Sequence, residues 1–379
     1  MRTIVLISLF TAISLTCIAE LESRKEVKIP DIPGYLTLKC DFHMHTIFSD
    51  GLVWPTVRVD EAWREGLDVI AISDHFEYTP FEDDVRIKFG RAYEIARPRA
   101  DMYGLIIIQA AEITRDMPPG HFNCLFLKDV PALDKPDFWD AINEAVKQDA
   151  FIMWNHPGWR QKNEIPIWYD EHTRIFNEGH MHGMELVNER SFYPLALQWC
   201  VEKNITMLGS SDIHSPTGMF YDLSLNDQRT MTLVFATART EEAVREALFS
   251  GRTVVYTGEM LIGKEEFLTQ IFQNSIEVVN YEADLTSENT YNIQIANRSE
   301  IPFKLVSAVQ PKGIEYPEEI TLYPERTVIF QVKVSRQAIS NSIEIKLPYI
   351  VKNLIINKDK GLPVEIDIHQ KVFIYLCAP

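Results

Sequence analysis

Between about Tyr35 and Ala236, short apolar runs alternate with segments of helical period, the order expected of βα units around a parallel sheet. The runs are LTLKCDF at 36–42, DVIAIS at 68–73, LIIIQAA at 105–111, FNCLFL at 122–127, FIMWN at 151–155, GMELVN at 183–188, ITMLGS at 205–210 and MTLVFA at 231–236. Eight such runs predict an α/β fold with a closed or distorted barrel rather than an open sheet. Helix ends are legible too: Pro55 opens a helix that closes before Gly66, and Thr240, Glu241 and Glu242 start one that stops at Gly251. Past residue 275 the pattern changes to strict alternation, as in YNIQIAN at 291–297 and VEIDI at 364–368, which predicts a small all-β sandwich. The expected division is a barrel over residues 28–275 and a β-sandwich accessory domain over 276–379.

The chain starts MRTIVLISLFTAISLTCIAE, with a charged Arg2, an apolar run from Ile4 to Ile18 and small residues at Cys17 and Ala19. That is a secretory leader pattern over residues 1–19, and the run is shorter than the ~18 residues a membrane span needs. Export to a periplasmic or extracellular compartment is expected, with no transmembrane span left after cleavage. Cys17 admits a lipid-anchored reading, but Ser14, Leu15 and Thr16 before it make a poor lipidation signal. The other cysteines, Cys40, Cys124, Cys200 and Cys377, form no CxxC pair and read as scattered core thiols. Asn297-Arg298-Ser299 matches a glycosylation sequon.

A formal net charge of -17 excludes a bulk nucleic-acid binder, because such binding rests on Lys and Arg displacing counterions. An acidic chain can still handle a small phosphorylated substrate if bound divalent cations supply the local positive centre. Nine of the ten histidines precede residue 215, which places the chemistry in the first domain.

His43 and His45 end the first run, and strand alternation puts both on one face. Asp50 follows in SDG, Asp74-His75 ends the second run, Glu112 follows the third, and His121 precedes the fourth. His156 follows the fifth in NHP, and Asp212 and His214 follow the seventh in SDIH. Side chains at the C-terminal ends of barrel strands converge on one face. Imidazole with carboxylate and no thiolate suits Zn, Mn or Fe, and nine candidate ligands exceed one tetrahedral site, so two or three divalent ions are expected. Asp41 and Asp74 are expected to orient imidazoles from behind. Arg115 and Arg160 sit in loops near the cluster and are candidates to grip a phosphate. Trp154, Trp159, Trp168 and Tyr169 are candidates for an apolar wall around an organic group, whereas His172, His180 and His182 read as loop or surface histidines.

Taken in order, DFHMHT, SDG, SDH, the Glu of AAEIT, NHP and SDIH resemble the motif series of the polymerase and histidinol phosphatase (PHP) family over residues 39–214. The resemblance implies a distorted (β/α)7 barrel, with one of the eight runs peripheral, and a trinuclear metal centre. It implies a first ion on His43, His45, Glu112 and Asp212, a second sharing Glu112 with His121 and His156, and a third on Asp50, His75 and His214. Glu112, Asp212 and His214, with Arg115 and Arg160, would carry the reaction, in which a hydroxide bridging the ions attacks phosphorus. The leader and the β-rich tail are most similar to the family's phosphodiesterases. Alternatives are a phosphomonoesterase of the histidinol phosphatase kind, a non-catalytic metal-dependent module that binds phosphate or glycan, and an envelope interaction protein.

Overall fold

The computed structural model describes residues 24–225, 227–279, 282–283, 290–335 and 344–370; the leader, Cys17 and Cys377 lie outside them. All eight apolar runs are strands: β1 (Leu36–Asp41), β2 (Val69–Ile72), β3 (Ile106–Ile113), β4 (Phe122–Leu125), β5 (Phe151–Trp154), β6 (Gly183–Asn188), β7 (Thr206–Ser210) and β8 (Met231–Ala236). Most are buried on both faces, which is why they read as continuous apolar runs rather than alternating ones.

The sheet is mixed, and this corrects the expectation of a parallel one. β1, β2 and β3 run parallel, as do β5, β6 and β7. β4 is antiparallel to both neighbours, and β8 is antiparallel to β1. The β3–β4 connection, residues 114–121, is too short for a crossover helix, so β4 turns straight back along β3. β8 is fully buried beside β1, so it belongs to the central sheet and not to its periphery. The circuit from β8 through β1 to β7 is completed by one threonine: Thr232 Oγ1 donates to Gly209 O at 2.8 Å and accepts from Gly209 N at 3.0 Å. A Cβ on Gly209 would meet Val255 at 2.3 Å, so only glycine permits this approach.

Helices cover the outside: α1 (Pro55–Arg64), α2 (Arg91–Tyr103), α3 (Phe138–Lys147), α4 (Asp170–Asn177), α5 (Pro194–Lys203), α6 (Glu241–Phe249) and α7 (Glu265–Ser275). Pro55 is the first residue of α1, and Thr240 caps α6 by accepting from Ala243 N. Among the described residues no helix is long and apolar enough to cross a membrane.

From β8 the chain continues antiparallel through β9 (Thr253–Thr257) and β10 (Met260–Gly263). The C-terminal region packs two sheets. One holds β11 (Ile276–Val278), β12 (Thr290–Asn297) and β15 (Thr327–Val334); the other holds β13 (Phe303–Ser307), β14 (Glu319–Leu322), β16 (Glu344–Asn357) and β17 (Lys360–Gln370). β16 pairs in parallel with β10, so the second sheet is a hydrogen-bonded continuation of the central one. Asn297 of the sequon is buried and donates to Ile301 O and Leu322 O, so its amide serves this fold. Cys40, Cys124 and Cys200 are buried free thiols.

Candidate metal centre

The ends of five strands and the loops they launch gather all nine candidate ligands at one mouth. Four overlapping sets each place donor atoms within 4.8 Å of one another: His45, Asp50, His75 and His214; His43, His45 and Asp212; His43, Glu112 and His156; His75, Glu112 and His121. Glu112 lies within β3 and is fully buried. Its Oε2 faces His43 Nε2 at 3.1 Å, His45 Nε2 at 3.3 Å and His75 Nδ1 at 3.1 Å, and its Oε1 faces His121 Nδ1 at 3.0 Å and His156 Nε2 at 3.5 Å. His121 joins because β4 is antiparallel, so the start of β4 lies at the same end as the finish of β3.

Three devices hold the ligand loops. A Cβ on Gly51 would meet the backbone of His45 at 2.5 Å, so the SDG turn folds flat on that strand end and brings Asp50 inward. Asp74 accepts from Thr46 N at 2.6 Å, Thr46 Oγ1 at 2.7 Å and Ser49 Oγ at 2.9 Å, fixing the same loop. The buried guanidinium of Arg58 donates to His45 O, Ile213 O and His214 O, tying the two loops together. Asp41 accepts from Ser211 N and Oγ and pairs with Arg229. Asp41 and Asp74 therefore hold backbone loops instead of orienting imidazoles, which corrects the sequence expectation. His156 and Asp212 have positive φ, 26° and 49°, a strained conformation of the kind that functional sites retain.

The donor set fits divalent ions. His45 Nε2, Asp50 Oδ1, His156 Nδ1 and Asp212 Oδ1 are buried without a hydrogen-bond partner, although His45 Nε2 and Asp212 Oδ1 lie 3.0 Å apart. Close approach without hydrogen-bond geometry is what ligand atoms aimed at a common ion would show. Burial works against the charge on Glu112, yet His43 and His75 outweigh it and hold its carboxyl well below the usual range. Burial likewise opposes charge on His214, but the carboxylates of Asp50, 3.2 Å away, and Asp212 push it up to about 9, while burial with His75 and His214 nearby drives His45 down to about 3. A metal ion takes an imidazole lone pair, so a His with a raised pKa must first lose its proton. Metal uptake by the ion-free chain should therefore release protons, and apparent affinity should rise with pH until His214 titrates near 9. Titration calorimetry in buffers of different ionisation enthalpy checks this; uptake without proton release below that pH would contradict it.

A cavity of about 900 Å³ opens over the cluster, lined by Tyr78, Arg115, Lys135, Trp159 and Arg160 among others. Arg115 is less available than expected: its guanidinium is paired with Glu77 and donates to Thr114 O and Lys135 O. The Arg160 side chain is 66% exposed, stacks on Trp159 at 4.2 Å and pairs at 3.5 Å with Asp116, whose own side chain is exposed at the rim. Of the four aromatics expected to form a wall only Trp159 lines this cavity, its ring 4.6 Å from that of His121. Trp154 is buried and stacks on His172 at 3.7 Å. His172 is a core residue, not a surface one: it accepts from Tyr169 N and donates to Pro119 O, and burial lowers its pKa to about 4.

Sequence reasoning passed over Glu185, Asn188, Asn155 and Arg58. Asn155 Nδ2 donates to Glu112 Oε1 at 2.8 Å. Glu185 is fully buried in β6 and lies 2.9 Å from His43 Nδ1. One signal was available for it: GMELVN is an otherwise uncharged run carrying one carboxylate.

An Ig-like domain family, DUF5001, matches residues 275–367. Among solved structures, a two-domain protein from Bacteroides vulgatus, described as containing a predicted PHP-like metal-dependent phosphoesterase, is 41% identical with a TM-score of 0.86, over 91% of this chain and 99% of its own. A proposed metal-dependent phosphoesterase from Bifidobacterium adolescentis is 16% identical with a TM-score of 0.39, over 55% of this chain and 95% of its own, a likeness too distant to inform the site. No curated protein matches.

Proposed function

Because the chain belongs to the PHP-like metal-dependent phosphoesterases, we propose that it is an exported enzyme that hydrolyses small phosphodiesters at a centre of two or three divalent ions. The observation that carries this reading is the nine-donor cluster at the floor of a cavity whose rim presents Lys135 and Arg160. Zn, Mn or Fe suits the donors. His43, His45 and Asp212 would hold one ion with Glu112, which would be shared with a second on His121 and His156, while Asp50, His75 and His214 would hold a third. When bound, such ions acidify coordinated water and offset charge on phosphoryl oxygens. Arg160 would meet the phosphate at the rim, and Asn155 keeps Glu112 oriented through its amide. Trp159 offers a flat apolar face beside His121, which suits an ester carrying an organic group on both sides of phosphorus. The room in the cavity favours a diester over a monoester. Export, with removal of residues 1–19, and a domain boundary near residue 275 belong to the same reading.

Metal analysis of the purified mature chain, followed by assay with bis(p-nitrophenyl) phosphate and p-nitrophenyl phosphate, tests it. Two or three ions per chain and faster diester cleavage are expected. Faster monoester cleavage would move the assignment to a phosphatase, and no bound metal with no turnover after Mn or Zn reconstitution would leave a non-catalytic module.

A further inference from the structure

The fully buried carboxylate of Glu185 lies on the far side of the His43 ring from the cluster. Its Oε1 is 2.9 Å from His43 Nδ1, while His43 Nε2 faces Glu112 Oε2 at 3.1 Å and Asp212 Oδ1 at 3.0 Å. Its Oε2 accepts from the backbone N–H of His156 at 2.7 Å and from Asn188 Nδ2 at 2.9 Å. Asn188 Nδ2 also donates to Asp212 Oδ2 at 3.1 Å. One side chain is thus hydrogen-bonded to a ligand imidazole, to the backbone of a second ligand and, through Asn188, to a third.

We propose that Glu185 is a positioning residue that keeps His43 in the tautomer bearing hydrogen on Nδ1, so that Nε2 presents its lone pair to the metal site. This inference rests on the metal-centre reading above. An ionised carboxylate only accepts hydrogen bonds, so the imidazole nitrogen facing it must carry the hydrogen. The other nitrogen is then the one left to bind an ion, the arrangement by which an outer carboxylate orients a ligand histidine. Glu185 is not a ligand itself, since both of its oxygens are occupied by protein donors. The strained backbone of His156, at φ 26°, has its N–H fixed by the same carboxylate. Ligands of two of the proposed ion sites therefore depend on one residue.

Glu185→Gln separates position from shape. Glutamine keeps the volume but brings one acceptor and one NH2 group, so it cannot accept from both His43 Nδ1–H and His156 N–H. The expected result is a 10- to 100-fold loss, roughly, in affinity for Mn²⁺ and Zn²⁺ measured by competition with a chelator. Loss of the His43 Nδ1–H proton resonance, seen in the metal-loaded wild type by NMR, should accompany it. Thermal unfolding of the ion-free variant controls for a merely structural role, which would lower stability while leaving the affinity and the resonance unchanged. Wild-type affinity with the resonance retained in Glu185→Gln would overturn the inference alone. A wild type that binds neither ion would overturn the metal-centre reading and this inference with it.

Discussion

Replacing Glu112 with glutamine should lower kcat/KM for phosphoester hydrolysis by at least about 10³-fold, roughly 4 kcal/mol of transition-state stabilisation. No other side chain in the site faces as many candidate ligands. Its two oxygens divide the cluster, Oε2 toward His43, His45 and His75 and Oε1 toward His121 and His156. It belongs to two of the four donor sets. Glutamine fills the same space but turns an NH2 group toward one side, where it meets either an imidazole lone pair or the ion that lone pair should hold. Residues that act as one unit lose most of their effect when one member is removed, so a partial response is not expected. The variant should also bind at least one ion fewer, counted by metal analysis of protein whose circular dichroism matches the wild type. Full metal content with activity within tenfold of wild type would remove Glu112 from the centre.

Much of this site was legible in the sequence because its residues sit at ends of elements. A barrel strand buried on both faces reads as an apolar run, and the polar residue that closes the run, as at His75 or His156, stands out against it. His43 and His45 stand out by alternation alone, since Phe42 before them and Met44 between them turn into the core. His121 was found although the rule that pointed to strand C-termini does not apply to it. It precedes β4, and only the antiparallel turn, which follows from the short 114–121 connection, brings that end to the mouth. What stayed hidden depends on tertiary placement. Glu185 sits inside a strand rather than at its end, and Arg58 occupies a helix whose sequence gives no sign that this arginine is fully buried. Trp154 and Trp159 share one short segment, yet one stacks in the core and the other lines the cavity, a choice made by the turn at Pro157-Gly158. The paired guanidinium of Arg115 likewise depends on Glu77, which comes from a separate loop.

The largest effect on stability should come from Arg229→Met. Arg229 is 1% exposed; its Nε donates to Glu65 Oε2 at 2.5 Å and its Nη1 to Asp41 Oδ2 at 3.1 Å. Methionine would leave two carboxylates, at 0% and 3% exposure, without their cation. Removing one partner of a buried ion pair costs about 3–5 kcal/mol, more than the pair itself adds over an apolar replacement. The pH dependence has a definite sign. Burial already raises the pKa of Asp41 in the folded state, with Arg229 and Ser211 opposing the rise, so losing Arg229 raises it further. A carboxyl with a folded pKa above its unfolded value destabilises the fold when ionised and is relieved as pH falls through the folded pKa. The deficit should therefore be largest near pH 8 and shrink toward pH 5. Urea unfolding at both pH values measures it, and adding Asp41→Asn and Glu65→Gln to Arg229→Met should recover part of the loss. Asp41 also fixes Ser211, the neighbour of Asp212, so the single variant should bind metal more weakly than the wild type even where it is folded. A stability change under about 1 kcal/mol at pH 8 would show that the buried carboxylates do not need Arg229, and would place the order of the Ser211–Asp212 turn elsewhere in the fold.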